Sequence, residues 1–274
     1  MLGLEHDFRA VDVHVRLDPG ADGTGGDRRR YGPDALEREM HQAGIARAVV
    51  FPPSVEGERD YLAANNAVAR GCVDRPFVPF ARLSGARDVD GGPGARLRNL
   101  AAGREDYHTT PEDVEQYAHG DRFEGFALDP AVDGLPDDAV VDALDDVGCP
   151  VLVRAGRSVP VRAVRRHLLG GSVPVVLTRS GARPLSETTA AAAVEALADH
   201  ERLHLDSGCL RRRAVLERTL REHPDRVLFG SGAPTVHPNV AAMEVLTLDV
   251  PEDAMRRVFE RNVARLAAAF DGDA

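Results

Sequence analysis

Eight short apolar runs are spread along this chain, spaced so that a helix fits between each and the next. They cover residues 10–16, 46–51, 76–82, 123–128, 150–154, 173–178, 203–206 and 226–229. Most are continuous rather than alternating, as in strands of a parallel sheet covered on both faces. Parallel strands need long crossover connections, so the helical stretches between the runs belong to the same constraint. One begins at Gly32-Pro-Asp34 and stops at Gly44, and another begins at Pro111 behind Thr110, a candidate N-cap. Further helices are expected over 135–147, closed by Gly148, and over 187–200, 210–223 and 252–270. Eight βα units in 274 residues fit an α/β fold, a distorted (β/α)8 TIM barrel formed by one domain over residues 1–274. A doubly wound sheet is the alternative, but no glycine-rich phosphate-binding turn follows the first run. Two segments fit no element. Residues 18–30, rich in Gly and Asp, are expected to be a mobile loop over the barrel mouth, and 84–108 a long insertion after the third strand.

Three of the runs end alike, in an arginine followed by a turn: Ala10-Val-Asp-Val-His-Val-Arg16, Pro150-Val-Leu-Val-Arg154-Ala-Gly156 and Pro174-Val-Val-Leu-Thr-Arg179-Ser-Gly181. The C-terminal ends of barrel strands line the mouth. Arg16, Arg154 and Arg179 are therefore expected to gather there, beside His14 and Asp206. Two readings stay open. The guanidinium groups pair with Asp12, Asp129 or Asp206 as an internal network, or they form a pocket for a small anionic ligand. His14 is a candidate acid–base group or a hydrogen-bonding residue without a catalytic task. Asp206-Ser207-Gly208 reads as a ligand-orienting turn or a helix N-cap, and His237 as a loop residue.

Composition narrows the partners. The net charge of −10 argues against general nucleic-acid binding. All 34 basic residues are arginine, against 44 acidic ones, a balance expected of salt-adapted, halophilic proteins or of a codon bias that replaces lysine. No run approaches the length of a membrane helix, and the N-terminus has no signal-peptide pattern, so a cytoplasmic protein without membrane partners is expected. A homo-oligomer is compatible with these features. Cys72, Cys149 and Cys209 are far apart and read as buried free thiols.

Several segments together resemble the amidohydrolase-related (amidohydrolase 2) family of metal-dependent hydrolases. Asp12-Val-His14 resembles its opening Asp-x-His-x-His strand, and Gly125-Phe-Ala-Leu-Asp-Pro130 its fourth-strand motif. Phe229-Gly-Ser-Gly-Ala-Pro234 resembles Gly-Ser-Asp-x-Pro, and Glu260-Arg-Asn-Val-Ala-Arg-Leu266 its terminal helix. The resemblance spans nearly the whole chain and implies a barrel with hydrolase or decarboxylase chemistry. It also implies metal ligands that are not carried over. His14 keeps the first position, but Arg16, Arg154 and Arg179 stand where the family has histidines, and Gly232 where it has an aspartate. Arginine has no lone pair to give a metal. No metal or other cofactor is therefore expected. The readings left are an anion-binding barrel lacking the usual metal centre, a metal-independent hydrolase, lactonase or decarboxylase, and a non-catalytic partner or scaffold subunit.

Overall fold

The computed structural model describes residues 6–21, 30–54, 60–89, 99, 103–120, 122–156, 159–179, 186–210, 212–266 and 270. Its strands are β1 (Ala10–Arg16), β2 (Ile45–Phe51), β3 (Phe77–Arg82), β4 (Gly125–Leu128), β5 (Val151–Ala155), β6 (Val175–Arg179), β7 (Leu203–Asp206) and β8 (Val227–Leu228). They are parallel and lie side by side in chain order. The seam between β8 and β1 is made mostly past the end of β8. Val13 N–H donates to Phe229 O and Arg16 N–H to Ala233 O, both at 2.9 Å. The expected (β/α)8 barrel is thus formed, with its distortion at this seam.

Alternation along the strands sorts the side chains into two cores. Val11, Val13, Val49, Phe51, Val78, Phe80, Leu152, Val176 and Leu228 fill the interior, with Val263 and Leu266 packed against them. The intervening residues join a larger outer cluster with Leu36, Met40, Leu144, Val164, Leu197 and Leu220 from the helices. These helices are α1 (Pro33–Gln42), α2 (Leu62–Gly71), α3 (Pro111–His119), α4 (Pro130–Asp133), α5 (Asp138–Val147), α6 (Val161–Leu168), α7 (Glu187–Asp199), α8 (Arg213–Glu222), α9 (Pro238–Leu246) and α10 (Glu252–Arg256). Thr110 caps α3 in a reciprocal box with Asp113. Gly148 closes α5 with φ of 66°, a left-handed conformation that favours glycine.

Three expected helices change. The 135–147 helix starts at Asp138, because Leu135 exchanges backbone hydrogen bonds with Arg87 and Asp137 caps the first turn. The 210–223 helix is split: Ser207–Leu210 is a 3₁₀ turn capped by Asp206, and α8 begins at Arg213. The 252–270 helix gives way after α10 to a π turn, Arg257–Arg261, and a 3₁₀ turn, Asn262–Arg265. There the segment is tied to the barrel floor. Asn262 Nδ2 donates to the carbonyls of Pro224 and Val227, and Phe229 N–H to that of Val258. α6 and α9 were not marked by sequence pattern. His237, read there as a loop residue, caps α9 and bonds Glu39 at 2.7 Å.

The loop expected over 18–30 lies largely outside the described residues, but its ends meet where Asp18 N–H donates to Tyr31 O. Much of the expected 84–108 insertion also lies outside them; its start and end are tied where Ser84 bonds Thr109 and the Tyr107 carbonyl. Among the described residues, no helix is long and apolar enough to cross a membrane.

Candidate functional site

Regular alternation alone would not bring His14 and Arg16 inward. Val11 and Val13 already point into the barrel. Between Asp12 and Val15, β1 advances one residue more than β2, a bulge. Bulges re-aim side chains. Past this one, His14 and Arg16 face the mouth while Val15 joins the outer core. Arg82 and Arg154 reach the mouth by ordinary alternation after Phe80 and Leu152. Arg179 follows Thr178, which also faces the mouth, and gets there by running across the ends of β7 and β8 past Gly208 and Gly232. The cleft so formed contains about 430 Å³ of space continuous with solvent.

His14, Arg16, Arg154 and Arg179 therefore converge, as the strand-end pattern predicts. Asp206 does not line the cleft; it is fully buried behind His14. Sequence reading missed Arg82, although Phe77-Val-Pro-Phe-Ala-Arg82 also ends an apolar run in arginine.

The four guanidinium groups differ in their partners. Arg82 is 3% exposed and is engaged through both Nη atoms, while its buried Nε has no partner among the described residues. It donates to Asp133 at 2.7 Å and to the Pro52 carbonyl, and lies 5.1 Å over the Tyr61 ring, whose hydroxyl donates to Asp133 at 2.6 Å. Arg154 donates to Asp129. Arg16 and Arg179 have no carboxylate within ion-pair distance among the described residues: Arg16 donates to the Thr235 hydroxyl and Arg179 to the Ser231 carbonyl. Burial, then the charges of Arg154 and Arg82, lower the Arg16 pKa to about 10 against the pull of Asp129. At pH 7 it is still a cation.

Of the three aspartates expected to neutralise the arginines, only Asp129 does so. Asp12 accepts from the backbone N–H of His14 at 3.1 Å and of Ser231 at 2.9 Å. Asp206 accepts from Cys209 N–H at 2.7 Å and meets His14 Nδ1 at 2.7 Å. Because a carboxylate only accepts, Nδ1 carries the ring proton and Nε2 keeps its lone pair. The ring stacks on Phe51 at 5.8 Å between centroids. Burial lowers the His14 pKa; Asp206 opposes this, and the charges of Arg16 and Arg179 reinforce it. His14 is thus a neutral imidazole at pH 7.

Arg179 and Gly232 share one space. A Cβ on Gly232 would lie 2.7 Å from Arg179 Nη2 and 2.8 Å from Nε, so a side chain there requires the guanidinium to shift. Gly232 also has φ of 69°, which other residues rarely adopt. Among the described residues, no three His, Cys, Asp or Glu side chains gather to hold a metal ion. His14 Nδ1 is occupied by Asp206, and the guanidinium groups around it repel cations. This donor set does not fit the divalent metal that the family resemblance implies.

Eight parallel strands with polar groups collected at their C-terminal ends define the (β/α)8 class, whose active sites lie at that face. The amidohydrolase family model matches residues 11–266, and the chain belongs to that family. Solved structures share the barrel. A 2,6-dihydroxybenzoate decarboxylase from Rhizobium gives a TM-score of 0.63 at 14% identity, over 97% of this chain and 100% of the other. A TIM-barrel protein from Bordetella bronchiseptica gives 0.63 at 21%, over 96% and 99%. A probable 2-pyrone-4,6-dicarboxylic acid hydrolase from Acinetobacter baumannii, with citric acid bound, gives 0.55 at 12%, over 94% and 99%. At these identities the likeness establishes the fold alone. None of the curated proteins compared with this chain matches it.

Proposed function

We propose that this chain is a metal-independent member of the amidohydrolase family whose mouth binds a small organic carboxylate between Arg16 and Arg179. One observation carries the reading: among the described residues these two guanidinium groups lack carboxylate partners, while Arg82 and Arg154 in the same mouth have them. Arg179 is 1% exposed. An unpaired buried charge costs several kcal/mol, and a bound carboxylate offsets that cost with charge-assisted bonds. Structural neighbours whose names involve carboxylates, a decarboxylase complexed with 2,6-dihydroxybenzoate and a hydrolase holding citric acid, agree with this choice. Metal independence is supported by the donor chemistry, since cations occupy positions where a metal needs lone pairs.

Thermal unfolding with citrate, 2,6-dihydroxybenzoate and phosphate, at fixed ionic strength, tests the site. A carboxylate at about 100 times its Kd is expected to stabilise the fold by about 2.7 kcal/mol. Arg16→Met and Arg179→Met are each expected to remove most of that gain. No shift from either carboxylate, or equal shifts in both variants, would overturn the reading. Elemental analysis is expected to find no stoichiometric transition metal; about one per chain, lost with chelator, would refute the metal-independent part.

A further inference from the structure

The cleft also holds a group able to take a proton. His14 Nδ1 is engaged by Asp206, and Asp206 is itself held by Cys209 N–H, so the pair has a fixed orientation. The Phe51 ring on one face limits rotation of the imidazole. His14 Nε2 has no hydrogen-bond partner among the described residues, is not a buried atom, and belongs to a side chain lining the cleft. Arg16 and Arg179 line the same cleft. An imidazole with one nitrogen anchored by a carboxylate and the other bare is the arrangement of a general base.

We propose that His14, positioned by Asp206, is the proton acceptor of this mouth and activates water against the acyl carbon of a small ester that also carries a carboxylate. The proposal rests on the carboxylate-binding reading above and adds the reacting group. Nε2 takes a proton from water as its oxygen bonds to the carbonyl carbon. The carbonyl electron pair moves onto its oxygen, where a guanidinium group of the mouth stabilises the charge. On collapse the C–O bond to the alcohol breaks, and the departing alkoxide takes the proton from Nε2. Ester and water become acid and alcohol, with His14 restored. His14 is the catalytic residue and Asp206 a positioning residue.

Alkylation with iodoacetate, in buffer containing chelator, tests this without knowledge of the substrate. The bare Nε2 forms a C–N bond to the reagent's CH2 carbon, and iodide leaves. Peptide mapping separates this product from labelling at cysteine. His14 is expected to be carboxymethylated by iodoacetate at least about tenfold faster than by neutral iodoacetamide, as electrostatic steering allows. In Arg16→Met and Arg179→Met the two reagents are expected to converge. Asp206→Asn keeps the shape but lets an amide donate to Nδ1, so labelling is expected to fall about tenfold or more. Nitrogen-15 NMR of the wild type is expected to show the His14 proton on Nδ1, which covers the case where that variant does not fold. Equal labelling by both reagents would keep the base and overturn the carboxylate site. No labelling of His14, with the citrate stabilisation intact, would overturn the base alone. A proton on Nε2, or wild-type labelling in Asp206→Asn, would overturn the role of Asp206.

Discussion

Asp12 shows how burial sets the behaviour of a single residue beneath this mouth. Its Oδ1 accepts from two amides, and its Oδ2 has no partner in the buried interior. Burial, reinforced by the charge of Asp206, raises its pKa from 3.8 to about 6. The folded chain therefore binds more protons at this group than the unfolded chain between those values. Its contribution to stability is full below about pH 4 and is lost as pH rises through 6, by about 3 kcal/mol. Asp12→Asn keeps the acceptor oxygen and removes the charge. Relative to wild type, the variant is expected to gain stability from pH 4.5 to pH 8 in urea denaturation; parallel curves would refute this. Gly232 makes a second residue-scale case. Gly232→Ala imposes φ of 69° on a side chain and drives its Cβ into Arg179. A loss of about 2–4 kcal/mol is expected from strain and displaced packing. Arg179→Met in the same chain should recover part of it, and a double-mutant cycle showing no coupling would sink the shared-space account.

Between elements, the end of β3 is joined to α4 by a buried charge network. Arg82 and Tyr61 both donate to Asp133, which also accepts from Asp129 N–H at 2.9 Å. Asp133→Ala would leave Arg82 charged and buried. The expected cost is about 3–5 kcal/mol, read as a lower urea midpoint. A cost under about 1 kcal/mol would mean that water reaches Arg82 and that the network is not what holds this corner. Element by element, legibility followed locality. β1 and β7 have the bounds that their apolar runs predicted, because a parallel strand declares itself by neighbours in sequence. Thr110, Pro111 and Gly148 marked helix ends for the same reason. The helix expected over 252–270 is broken because Val258 and Asn262 bond to residues of the β8 region. Nothing in the helical pattern records those bonds.

At the scale of the molecule, the charge of −10 is carried by a lysine-free surface. Arginine pairs with acids along several helices, as in Arg213–Glu217 and Arg257–Asp253. Such exposed pairs contribute little each and weaken in salt, whereas screening relieves the repulsion among the excess acids. The second effect is expected to win, so Tm should rise between dilute and molar KCl. A flat or falling curve would leave codon bias as the reading of the missing lysines.

The sequence by itself determined the barrel, the family and the basic mouth, including His14, Arg16, Arg154 and Arg179. The barrel follows from periodicity, the family from motif resemblance, and the basic mouth from arginines placed at strand ends, although the bulge in β1 is what turns His14 and Arg16 inward. Only the tertiary structure decided which of the arginines are neutralised. Arg154 meets Asp129 and Arg82 meets Asp133, while Arg16 and Arg179 meet no carboxylate among the described residues and Asp206 turns to His14 instead. The bulge in β1 and the path of Arg179 over Gly232 set those outcomes. The physical reason is distance. Ion pairs and hydrogen bonds act over a few ångströms, between residues far apart in the chain, and a shift of one strand position exchanges one partner for another.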